Sequence, residues 1–75
     1  MGFMPDSWTI RHFSQANPRG ERQGDVAALL RRVADSIDEH AGAEVQDITF
    51  GSEVNDDGDW PSLTVYFHLP GDDGV

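Results

Sequence analysis

Residues able to do chemistry are plentiful in this 75-residue chain, but their spacing assembles no reaction centre. His12, His40 and His68 stand far apart, without the three-to-five-residue spacing by which a helix or turn presents two imidazoles to zinc. Ser7, Ser14, Ser36, Ser52 and Ser62 have no G-x-S-x-G surroundings, and no glycine-rich phosphate loop occurs. Cysteine is absent, which removes disulfides, thiolate zinc ligands and thiol nucleophiles together. Fourteen carboxylates are present, yet no pair is set apart as a tuned acid and base. The expectation is a protein with no catalytic residues and no cofactor, and not an enzyme.

One stretch does look like a ligand set. Asn55-Asp56-Asp57-Gly58-Asp59 has the oxygen-rich character of a calcium loop, and placing Gly58 at the sixth position puts Glu53, Asn55 and Asp57 at the first, third and fifth. The twelfth position is then Thr64, where a bidentate Glu is required, and no helical pattern flanks the loop on both sides. An acidic hairpin turn explains the same residues. Asn55, Asp57 and Asp59 are therefore only weak candidates for a divalent cation, and a cation-binding protein using residues 53–59 is an alternative function.

Charge narrows the partners. Five Arg and no Lys stand against ten Asp and four Glu, a net −9, so the chain repels phosphate backbones and anionic membranes. Neither a nucleic-acid ligand nor a membrane is expected, although an acidic body could mimic nucleic acid and block a basic protein. Arg in place of Lys, with abundant Ala, Gly, Asp and Val, is the coding bias of a GC-rich bacterial genome. No basic stretch followed by an apolar run opens the chain, and cysteine is lacking, so a cytoplasmic protein is expected.

The elements that would position these residues fit a single small domain, since a chain this short buries only about 60% of its unfolded surface. Val26, Leu29, Leu30, Val33 and Ile37 form one stripe of a 3.6-residue period, predicting an amphipathic helix over 25–41. Asp25 suits the N-cap and Gly42 the left-handed position past the end. Residues 14–24, with Pro18, Gly20 and Gly24 and no large apolar residue, read as a loop. Residues 1–6 and 70–75 are expected to fray.

Two strands follow, over 44–54 and 61–69. Ile48, Phe50 and Val54 are apolar in the first, while Leu63, Val65, Phe67 and Leu69 alternate with polar residues in the second. With Asp57-Gly58 at the centre of the turn, Phe50 faces Val65, Ile48 faces Phe67 and Asp47 faces His68. Both apolar sets then share a face, whereas a one-residue slip in register would separate them.

The opposite face carries Asp47, Thr64, Tyr66 and His68, with Trp60 at its end. A hairpin alone is unstable in water, so residues 7–13 are expected to add a strand, with a short helix or disorder as the alternatives. The resulting fold class is α+β, in the order β-α-β-β, with one helix packed on an antiparallel sheet. Trp and Tyr are enriched at binding hot spots. The functional expectation is accordingly a small acidic interaction module, binding a protein partner or itself as a homodimer, through Trp60, Thr64, Tyr66, His68 and Asp47.

Overall fold

The computed structural model describes residues 10–72. The strand expected over residues 7–13 is present in its described part as β1 (Arg11–Ala16), while residues 7–9, the 1–6 segment and 73–75 lie outside the described residues. After β1 come α1 (Val26–Glu39), β2 (Glu44–Asn55) and β3 (Gly58–His68), giving the β-α-β-β order of an α+β domain. The sheet is antiparallel throughout, in the order β1-β3-β2. The last described strand is thus the middle one in space.

Strand β1 runs three residues further than its composition suggests, taking Ser14, Gln15 and Ala16 out of the expected 14–24 loop. Polar contacts replace the missing apolar ones: Ser14 and Thr64 share a hydroxyl hydrogen bond of 2.6 Å, and Ser36 Oγ on α1 donates to Gln15 Oε1 at 3.0 Å. The strand stops at Ala16 opposite Ser62, where the next residue of β3 is Pro61. A proline has no N–H to give a neighbouring strand.

Helix α1 is shorter at both ends than the predicted 25–41. Asp25 is its N-cap, and its Oδ1 accepts from the Ala28 N–H at 3.0 Å. The chain leaves the helix through His40 and reverses at Gly42, where φ is +78°. Leu29 and Val33 pack onto Leu63, Val65 and Phe67, with Phe13, Ile37, Ala43 and Leu69 around them. Each fully buried aliphatic or aromatic side chain here contributes about 1.5–3 kcal/mol relative to exposure.

The hairpin turn sits one residue earlier than predicted. Asp56 and Asp57 are the turn residues, and Asn55 pairs with Gly58. Central placement of Asp57-Gly58 in the favoured two-residue turn would require positive φ at Asp57, but every described residue with positive φ is a glycine. Gly58 instead takes the position after the turn at φ +109°, and Asn55 Oδ1 accepts from the Asp57 N–H at 2.8 Å. The shift moves each partner by two, so Phe50 faces Leu63 and Ile48 faces Val65, and the shared apolar face survives. A bulge between Val45 and Asp47 then inserts Gln46. It turns Val45 onto the apolar face opposite Phe67 and brings Glu44, not Asp47, opposite His68.

Of the 70–75 tail expected to fray, residues 70–72 are described, and they are tied down through Asp72. Its carboxylate accepts the Leu69 N–H at 2.8 Å and two Arg11 N–H groups at 2.9 and 3.1 Å.

Candidate interaction surface

The helix covers only part of the apolar face it packs on. Contacts of α1 fall on β3 and β1, and its Ser36 bond to Gln15 places it over that side of the sheet. A helix is about 10 Å across and strands are about 4.8 Å apart, so one helix roofs two strands and leaves the third bare. Val45, Ile48, Phe50 and Val54 on β2 are accordingly 40%, 47%, 60% and 78% exposed.

The flank of α1 beside this strip is also apolar. At 100° per residue, Val26 and Leu30 lie on the side of the Leu29–Val33 stripe away from Ser36, hence towards β2. They are 36% and 52% exposed, while Leu29 on the neighbouring position is fully buried. Leu30, Ile48, Phe50 and Val54, which their periodicity assigns to the core, therefore form a surface. Together these six residues offer roughly 500 Å² of apolar area, near the upper end for the largest patch on a monomer. Among the described residues the long outer edge of β2 is unpaired within the sheet. The Ile48 N–H is an exception along it, donating to Asp47 Oδ1 at 2.9 Å.

The aromatic and polar residues expected to form the contact face lie on the other side of the sheet, where no described helix packs. Trp60, Thr64, Tyr66 and His68 are each half-buried there, and Asp47 is exposed opposite Tyr66. Trp60 is held at the margin, with Nε1–H donating to the Asn17 carbonyl at 2.8 Å and the Arg19 guanidinium 5.5 Å from its ring centre. Tyr66 packs beside His12 at 5.8 Å between ring centres. His68 Nε2 meets Glu44 Oε1 at 3.0 Å, and Gln46 Nε2 meets His68 Nδ1 at 2.8 Å. The Gln46 amide donates, so the ring hydrogen of the neutral imidazole sits on Nε2 and points to Glu44.

The 53–59 loop is engaged in structure. Asn55 Oδ1 accepts from Gln23 Nε2 at 2.8 Å as well as from Asp57, and its Nδ2 donates to Gln23 Oε1 at 3.2 Å. Among the described residues no three His, Cys, Asp or Glu side chains converge as a metal site. An open cleft of about 560 Å³ lies beside the start of α1, flanked by Arg19, Arg22, Arg32, Glu21 and Asp25. Within it Arg22 reaches Asp25 at 3.2 Å. The Ala28 N–H and Arg22 together hold the Asp25 carboxyl below its ordinary pKa.

No described helix is long and apolar enough to cross a membrane. Comparison with known protein families, curated proteins and solved structures finds no match to this chain.

Proposed function

We propose that the protein is a non-catalytic, acidic protein-docking module of the cytoplasm, and that its contact surface is the apolar strip of β2 with the adjoining flank of α1. The observation that carries this reading is the exposure of Val45, Ile48, Phe50 and Val54 on the helix-bearing face of β2, together with that of Val26 and Leu30 on α1. Among the described residues five buried apolar side chains form the core while seven large ones are exposed, six of them on β2 and α1 and the seventh Ile10, a costly arrangement unless another surface covers them. The net charge of −9 supports solubility while the patch is uncovered.

Capture experiments with the immobilised full chain test the reading. Phe50→Glu should abolish retention of bound protein, including the chain itself, while Tyr66→Ala on the opposite face leaves it intact. Equal retention by Phe50→Glu and the parent would move the docking surface elsewhere, and retention lost only in Tyr66→Ala would place it on the outer face.

A further inference from the structure

The patch is a step, and the shape of a step selects its occupant. Where α1 lies over β1 and β3 the molecule is two layers thick; along β2 it is one. The tread is Val45, Ile48, Phe50 and Val54, and the riser is the Val26 and Leu30 flank of α1. A helix packs about 10 Å above a sheet, and two sheets pack face to face at about the same distance. The riser is therefore as tall as the sheet of a second copy of this chain.

Resting on the docking surface proposed above, we propose that its occupant is a second copy of the protein, related by a two-fold axis running along β2. That rotation lays the partner's β2 on the first tread and swings the partner's helix flank against the open edge of the first β2. The second copy receives the same in return, as an isologous contact must. Both treads, both risers and both unpaired strand edges are covered at once. Joining the two patches buries roughly 1,000 Å² of apolar surface, which reaches the lower bound for a specific interface. Pairing the β2 edges side by side would instead merge the two treads into a wider uncovered trough between the helices. It would also have to displace the Asp47 carboxylate from the Ile48 N–H. The charged outward face of α1, with Arg31, Asp35 and Asp38, stays in water in the stepped arrangement.

Sedimentation equilibrium of the full chain, from low to high micromolar concentration, reads the association directly. The mass should rise from 8.3 kDa towards twice that value. Phe50→Glu and Leu30→Glu should each weaken association by about tenfold or more. Both residues are exposed in a single chain, so both variants should keep the parent's circular dichroism and β3 amide protection. Added salt should tighten the dimer, because two copies of −9 repel. The chain has no cysteine, so Ile48→Cys gives an unambiguous crosslink: it should join two copies on oxidation faster than Thr49→Cys on the other face.

A parent that stays at 8.3 kDa, a Phe50→Glu that still dimerises, or faster crosslinking through Thr49→Cys would each overturn the stepped homodimer. If the parent is monomeric yet loses its captured protein on Phe50→Glu, the docking surface stands and only the second copy falls. If neither association nor capture responds to Phe50→Glu, both fall.

Discussion

Gln23 and Asn55, 32 residues apart, hold one another by a reciprocal pair of amide hydrogen bonds, Nε2 to Oδ1 at 2.8 Å and Nδ2 to Oε1 at 3.2 Å. Gln23 is 2% exposed, and its Nε2 also lies 3.0 Å from the Gly58 carbonyl and 3.2 Å from that of Asp59. Its Oε1 accepts the Gly20 N–H at 3.2 Å. One buried side chain thus fastens the loop before α1 to the turn between β2 and β3.

Gln23→Ala should therefore cost about 1–3 kcal/mol, the penalty for stranding buried polar groups. Gln23→Glu should destabilise at least as much, since a carboxylate has no hydrogen for the two carbonyls. Urea unfolding of the two variants checks this; a loss under about 0.5 kcal/mol would mean that water replaces the amide without penalty.

Adjacent leucines should behave differently. Leu29 is fully buried, so Leu29→Ala should cost about 2–5 kcal/mol through the cavity it leaves. Leu30 is 52% exposed, and Leu30→Ala, measured at dilutions where the chain is monomeric, should cost less than about 1 kcal/mol. Equal losses at the two positions would contradict the placement of α1.

Acid should loosen the two ends of the described chain from one another. The Arg11 guanidinium and the Leu69 N–H hold the Asp72 carboxyl below its ordinary 3.8. A lowered folded pKa means that this contribution is complete above the unfolded value and disappears as pH falls through the folded one. Asp72→Asn should be less stable than the parent near neutrality and flatter in stability below about pH 4. Parallel denaturation of both proteins between neutral pH and strong acid measures the difference, and superimposable curves would show that the bridge does nothing for folding.

Gly42 has two reasons to remain glycine. Its φ of +78° is strained for any L side chain, and an added Cβ would sit 2.7 Å from the Pro70 ring. Gly42→Ala should cost more than Gly58→Ala, where φ is +109° but nothing lies within 4 Å. Thermal melts of the pair give the order, and the reverse order would show that Pro70 yields freely.

Periodicity was sufficient to find α1, β2 and β3 because alternation and 3.6-residue spacing depend only on which residues share a face. It could not reveal that Leu30, Ile48 and Phe50 are exposed, because sharing a face says nothing about the width of what covers it. Counting strands against helices was the available signal: three strands present a face that a single helix cannot roof. The register was legible only to within the turn, since Asp57-Gly58 serves equally as a central pair or as the last turn residue and its successor. The Gln46 bulge left one mark, the odd position of Val45 beside the even Ile48, Phe50 and Val54, a break in alternation that one inserted residue repairs. The polar end of β1 left none, being held by Ser14, Gln15 and their partners rather than by apolar alternation.

The central position of β3 has a consequence for how the molecule comes into being. During synthesis β1, α1 and β2 all leave the ribosome before the strand that joins them, and β1 must wait across some fifty residues for Val65 and Phe67. Until then β1 has no ladder to enter, and Leu29 and Val33 lack Leu63, Val65 and Phe67, the other buried residues of their core. Such distant pairing makes for slow folding relative to a helical chain of equal length. Assembly of the sheet consequently awaits translation of β3, which acts as its keystone.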